Sequence, residues 1–220
     1  IIGRLVGSEM CIRDSSDAER FPAAGRPMED VTDPLHTAWD GMAEADQVTV
    51  NTIFVNVGKA IAAYERRILT GPAPADDYIA ALMADGEVAA EGLISDEAVR
   101  GLKVFAGVGN CHFCHSGANY TNNEFHNIGL GPRDWLRPED TGRFDGITTL
   151  LENPFRGTGD YSDDPASAEV TLNHLAQTPE QLGQFKVPSL RNIASHPPYM
   201  HGGHFDTLTE VVTFLSLIHI

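Results

Sequence analysis

The chain is short of cysteine, short of cations and free of long apolar runs, and each shortage removes a class of protein. Three cysteines in 220 residues cannot build the dense disulfide framework of a small secreted scaffold. Lys and Arg number 15 against 31 Asp and Glu, giving a formal net charge of −16. That balance argues against nucleic acid or an anionic membrane surface as partner. It is compatible with a basic partner steered by long-range charge. No stretch approaches the length of a membrane-spanning helix. The N-terminus lacks a basic region followed by an apolar stretch, so no secretory signal is visible. Internal repeats and low-complexity segments are also lacking. The length suits one large or two small domains, and is sufficient to bury a core.

Two of the three cysteines stand together, in Cys111-His112-Phe113-Cys114-His115. This is the C-x-x-C-H pattern of covalent haem attachment. Two thiols at that separation can each add to one vinyl group of a haem, and the histidine that follows is held under the iron as an axial ligand. Other uses of a C-x-x-C pair fit less well. A structural zinc needs four ligands, and the third cysteine, Cys11, lies at the far N-terminus. No H-x3-5-H run follows at finger spacing; His201 and His204 approach it but come far too late. A thioredoxin-like thiol pair expects a βαβ context, whereas the surrounding periodicity is helical. Haem is attached to such motifs outside the cytoplasm, so the motif implies a periplasmic protein whose true N-terminus is missing here.

The two ends have a different character. Ile1 to Ser15 (IIGRLVGSEMCIRDS) and Leu215 to Ile220 (LSLIHI) resemble translated adapter read-through, and residues 1–15 and 215–220 are set aside as non-native tails. Residues 16–45 then read as a linker or domain remnant, rich in Pro, Gly and Asp from residue 20 on. Residues 46–214 read as the haem-bearing domain. Within it, Asp46 is placed to cap a helix in which Val50, Ile53, Phe54, Val57, Ile61, Tyr64 and Ile68 recur at three and four, up to Thr70-Gly71-Pro72. A short helix is expected over Asp76 to Ala84, closed by Gly86. Ser95 caps another, with Asp96 and Glu97 in its first turn and Val99, Leu102 and Phe105 inward. That helix runs into Gly107-Val108-Gly109-Asn110 and the haem motif. Asn119 to Lys186 reads as loop, apart from a short helix start at Thr178-Pro179-Glu180-Gln181. A last helix opens with the capping box Thr207-Leu208-Thr209-Glu210.

Several separated motifs, in order, carry a resemblance. Asn56-Val57-Gly58-Lys59-Ala60-Ile61-Ala62-Ala63-Tyr64-Glu65-Arg66 precedes the haem motif, and Phe125-His126-Asn127-Ile128-Gly129 follows it. Phe185-Lys186-Val187-Pro188-Ser189-Leu190-Arg191-Asn192-Ile193 comes next, and then Pro198-Tyr199-Met200-His201-Gly202-Gly203. From about Phe21 to Phe214 the chain resembles the bacterial di-haem cytochrome c peroxidase family, which includes the MauG-like proteins. The resemblance implies a mostly α fold, a cytochrome c-like haem domain with long irregular loops. That family has two C-x-x-C-H haem domains. This chain carries one motif, in surroundings similar to the C-terminal, electron-transferring haem.

The resemblance also implies roles. Cys111 and Cys114 hold haem c, and His115 is the proximal iron ligand; the family's peroxidatic acid–base residues match nothing here. A methionine or tyrosine after the P-Y-x-H segment ligates the far side of this haem in the family, and by spacing from His201 it falls at Leu215, which cannot ligate iron. Met200 is the nearest substitute by chemistry, against the plainer reading that it packs near the haem edge. His201 and His204, in a Gly-rich loop, are read first as hydrogen-bonding residues and second as ligands, and His126 as a packing residue. A calcium site implied by the family would use the backbone carbonyls of His196 and Pro198, since oxygen ligands suit calcium. Arg191 is open between pairing a haem propionate and making a structural salt bridge.

The implied activity is passage of single electrons from a small soluble donor, of cytochrome c or cupredoxin type, to a peroxidatic haem that reduces hydrogen peroxide to water. Three readings stand beside it: a MauG-like enzyme oxidising a protein substrate, a mono-haem c-type electron carrier, and a zinc module without redox chemistry. The resemblance admits a homodimer.

Overall fold

The computed structural model describes residues 17–22, 25–28, 30–132 and 140–218. The N-terminal tail with Cys11 lies outside the described residues, as do the last two residues of the C-terminal one. The α-helices are α1 (Pro34–Asp40), α2 (Glu44–Glu65), α3 (Pro74–Asp85), α4 (Glu87–Ala90), α5 (Asp96–Ala106), α6 (Arg143–Glu152), α7 (Pro165–Leu172) and α8 (Leu208–Ile218). Strands β1 (Phe125–His126) and β2 (Phe185–Lys186) form an antiparallel pair. The fold is mostly α with irregular connections, as the sequence implies. It divides into two compact units: Ile1–Leu69 with Pro154–Leu172, and Thr70–Asn153 with Asn173–Ile220.

In the first unit the Pro- and Asp-rich stretch is not all loop. Asp33 accepts a hydrogen bond from the Leu35 N–H at 2.8 Å, Pro34 takes the first helical position, and α1 follows. The helix delivers Trp39 to a small core with Met42, Val50 and Phe21. Helix α2 starts at Glu44, so Asp46 is inside its first turn and does not cap it. Its buried carboxylate instead receives Arg20, Nε at 2.8 Å and a terminal nitrogen at 2.6 Å. Those bonds hold the Asp46 carboxyl below the usual carboxylate range. Helix α2 also ends earlier than its apolar pattern, capped by Arg66. Of that pattern only Val50 is buried; Ile53, Val57, Ile61 and Tyr64 are exposed. Phe54, also of that pattern, packs on Phe155 and Phe155 on Tyr161, with centroids 5.2 and 5.4 Å apart. Lys59 donates to the Tyr161 carbonyl at 2.9 Å and pairs with Asp163 at 2.6 Å, tying α2 to the segment before α7.

The second unit holds α3 to α6, the sheet and α8. Helix α3 begins at Pro74 and stops at Gly86, as its terminators require. Helix α5 is capped as the sequence indicates: the Ser95 hydroxyl accepts the Ala98 N–H at 3.1 Å, an interaction worth about 1 kcal/mol. Val99, Leu102 and Phe105 are its more buried side chains. Two helices correct the expectation of a loop from Asn119 to Lys186. Helix α6 buries Ile147, and α7 of the first unit starts at Pro165, just after Asp164, whose carboxylate accepts the Ser167 N–H at 3.1 Å. The 3-10 turn Pro179–Gln181 forms where the Thr-Pro-Glu-Gln run places it, the Gln181 side chain accepting the Thr178 N–H at 2.7 Å.

Candidate functional site

The haem motif is built at the end of α5. The chain must leave that helix sharply, and two glycines allow it. A Cβ on Gly107 would lie 2.7 Å from the Lys103 carbonyl oxygen, and one on Gly109 would lie 2.8 Å from that of Val104. Gly109 N–H bonds the Val104 carbonyl at 2.8 Å, and Asn110 then takes a left-handed conformation at φ 54°, which Asn tolerates better than most residues. Cys111–Phe113 follow as one 3-10 turn. Cys111 and Cys114 are both half-buried and unpaired by disulfide.

His115 is fixed from both ends. Its N–H bonds the Cys111 carbonyl at 2.9 Å, and its ring Nδ1 lies 2.9 Å from the Tyr120 carbonyl oxygen. A carbonyl only accepts, so Nδ1 carries the proton and Nε2 keeps its lone pair. A histidine that ligates metal almost always donates its other ring N–H in this way. Nothing in the sequence marks Tyr120 for this role, because the acceptor is backbone.

The turn that presents the Tyr120 carbonyl is strained and well supported. Tyr120 has φ 50°, a conformation that costs a non-glycine residue roughly 1 to 3 kcal/mol and persists when its surroundings enforce it. Phe105 of α5 meets the Tyr120 ring edge-on, with centroids 6.4 Å apart. The Val-Pro-Ser-Leu-Arg segment supplies the rest. Thr121 donates to the Val187 carbonyl at 2.7 Å, and Ser189 donates to the Asn119 carbonyl at 2.7 Å. Arg191 donates to the Ala118 carbonyl from Nε at 2.8 Å and from a terminal nitrogen at 2.6 Å. Its guanidinium lies 4.9 Å over the Tyr120 ring and grips Asp76 of α3 through two bonds, 2.6 and 2.8 Å. Of the two roles open to Arg191, the structure displays the salt bridge.

The Arg191 fork, joined by the Ala73 N–H, brings the Asp76 carboxyl from an ordinary 3.8 to about 2. A lowered carboxylate pKa stabilises the fold above the unfolded value and loses that effect as pH falls through the folded one. Asp76→Asn is therefore expected to be less stable than the native chain at neutral pH. The gap should narrow between pH 3.8 and about 2, as denaturant unfolding followed by circular dichroism at each pH would register. A constant gap across that window would remove Asp76 from the acid response.

The second group of predicted residues lies on a loop closed by mutual backbone bonds between Tyr199 and Phe205, 2.7 and 3.4 Å. Met200 is half-buried with φ 68°. His201 stacks flat on Phe185, with centroids 3.5 Å apart and planes 7° from parallel. Partial burial, with His204 adding to it, holds His201 below the ordinary histidine value. His204 Nε2 donates to the Gly131 carbonyl at 2.8 Å. His204 thus makes the hydrogen bond that the first reading assigns it, whereas His201 packs on an aromatic ring. His126 lies in β1 with Nε2 3.5 Å from Glu124. His196 closes a 3-10 turn, Ile193–Ser195, and Pro198 follows a cis bond from Pro197. Leu215 is half-buried in α8.

The donor set fits a c-type haem: two unpaired thiols on one turn, and an imidazole whose Nε2 is held ready. It does not fit a structural zinc, because among the described residues no three His, Cys, Asp or Glu side chains converge as a metal site.

No protein-family model matches the chain. Among curated proteins it is similar to the cytochrome-c peroxidase IdrP1 of Denitromonas iodatirespirans, 33% identical over 71% of this chain and 39% of that protein. Against the cytochrome-c peroxidase IdrP2 of the same organism it is 27% identical over 97% of this chain and 55% of the relative. The methylamine utilization protein MauG of Methylorubrum extorquens is 30% identical over 71% of this chain and 33% of its own length. A solved MauG-like protein associated with microbial copper homeostasis is 26% identical over 70% of this chain and 40% of its own, with a TM-score of 0.42. The chain spans about two fifths of the length of the first curated relatives it matches.

Proposed function

This chain belongs to the family of bacterial cytochrome-c peroxidases and MauG proteins, and from that premise we propose that it carries one haem c on Cys111, Cys114 and His115 and passes single electrons through it. The observation that supports this best is the His115 geometry, with Nδ1 spent on the Tyr120 carbonyl and Nε2 free to ligate. A haem held by histidine supplies a one-electron iron centre whose potential follows its ligands, burial and hydrogen bonds. The chain's own part is to hold the porphyrin by two thioethers, fix the imidazole and shape the surroundings.

In a protein of the relatives' length, the electrons would come from a small soluble cytochrome or cupredoxin and go on to a second haem. There hydrogen peroxide takes up two electrons and two protons to give two waters. Periplasmic location follows from where such haems are attached. Among the described residues no helix is long and apolar enough to cross a membrane. Calcium at the His196 and Pro198 carbonyls, and a homodimer, belong to the same proposal.

The test uses purified holoprotein. It should take up one electron per chain and exchange it with a small cytochrome, yet reduce peroxide far more slowly than a two-haem enzyme. Turnover equal to a two-haem enzyme would refute this assignment. The identity to MauG favours a second reading, oxidation of a side chain on a partner protein. The far-side iron ligand, which the resemblance places at position 215, separates the two, tyrosine pointing to the MauG-like reaction and methionine to peroxide reduction.

A further inference from the structure

The support beneath His115 is more elaborate than an ion pair needs to be. Arg191 makes four hydrogen bonds, two to Asp76 and two to the Ala118 carbonyl, out of five N–H groups. With Ser189 it ties down the carbonyls of Ala118 and Asn119 in succession. The next carbonyl along, that of Tyr120, is the one His115 uses. Tyr120 itself has a left-handed backbone, φ 50°.

We propose that Arg191 is a positioning residue for the axial imidazole: by pinning the Ala118 carbonyl and the Tyr120 ring, it aims the Tyr120 carbonyl at His115 Nδ1 and sets the donor strength of Nε2. The inference rests on the haem reading above. A firm Nδ1–H to carbonyl bond raises the basicity of the ligating nitrogen. A stronger axial donor favours ferric over ferrous iron and lowers the reduction potential. Loosening the clamp lets the Tyr120 carbonyl drift, weakens that bond and raises the potential. Asp76 enters as the counter-ion that holds the guanidinium in register from α3, and its own distance from His115 is immaterial.

The experiment compares holoprotein of the native chain with Arg191→Ala, Arg191→Lys and Asp76→Asn. Covalent haem is read as the pyridine haemochrome, midpoint potential by redox titration, and exchange of the His115 Nδ1 proton by NMR. Arg191→Ala should keep its haem, show a higher potential than native, and exchange that proton about tenfold faster, the factor for losing one hydrogen bond. Arg191→Lys keeps the charge without the fork and should fall between. Asp76→Asn should move both readings the same way by less. A variant that melts earlier with native potential and native exchange is only a structural clamp, which overturns the inference. If Arg191→Ala fails to fold, the other two variants carry the measurement, and unchanged values in both overturn it. Native protein without a haemochrome signal fails at the earlier step, since it overturns the haem reading itself.

Discussion

Matured in a periplasm competent for haem attachment, the double variant Cys111→Ala, Cys114→Ala is expected to emerge without covalent haem. Its haem content after acid–acetone extraction should be more than tenfold below that of the native chain. Each sulfur contributes one thioether, so either single variant keeps one link and should retain haem through extraction in reduced yield. With both removed, the porphyrin is held by one iron–imidazole bond and by packing, and extraction breaks both. The structure sharpens the expectation, because the two thiols are half-buried on one short turn and neither is engaged in a disulfide. The loss should also reach α5, whose more buried face of Val99, Leu102 and Phe105 leads into that turn. Native protein whose two sulfurs are unmodified by mass spectrometry would end the argument at its first step.

The parts of this site that are visible in the sequence are those made by side chains close in the chain. The C-x-x-C-H run, the Ser95 cap and the Thr207–Glu210 box each occupy a few consecutive positions; the cap and the box form as written, and the run folds as one short turn. The Tyr120 carbonyl is invisible because any residue supplies a carbonyl; only the fold brings it to His115. The Arg191–Asp76 pair joins residues 115 positions apart, so no local pattern can announce it. Charge complementarity left Arg191 two acceptable partners, and the position of α3 supplies one of them, Asp76.

Two of the missed helices, α1 and α7, share a cause. Helices α1 and α7 both begin with Asp-Pro, at Asp33-Pro34 and Asp164-Pro165. In a stretch already rich in Gly and Asp that pair reads as a turn. Yet the same two residues are a side-chain acceptor for the first turn and a residue pre-set for its first position. Thr178-Pro179 was legible because Gln181 completed a capping box; the Asp-Pro starts had no such third residue. Asp46 shows the converse error. It has the right chemistry for a cap, but its carboxylate is committed to Arg20, and α2 begins at Glu44 without a side-chain cap. An acidic residue in a first turn also suits the helix dipole, so composition alone does not separate a cap from an interior position.

Replacing Leu215, where the family resemblance places the far-side ligand, should supply a sixth iron ligand, and two replacements should move the haem in opposite directions. The position is well placed for the test. Helix α8 opens on a complete box, with Glu210 accepting the Thr207 N–H at 2.9 Å and Thr207 accepting the Glu210 N–H at 3.2 Å. Phe205 packs on Phe214 at 5.5 Å between centroids, and the helix continues through Ile218. Residue 215 is thus carried on regular helix, half-buried. Leucine offers iron no donor. Leu215→Met supplies a thioether, a soft ligand that favours ferrous iron, and should give a low-spin haem with a raised potential. Leu215→Tyr supplies a hard oxygen that favours ferric iron and should lower the potential. Absorption spectra and redox titrations of the two holoproteins measure both effects. If the two variants share the native spectrum and potential, position 215 lies outside the iron's coordination, and Met200 becomes the residue to replace next, with loss of the low-spin signal in Met200→Ala as its signature.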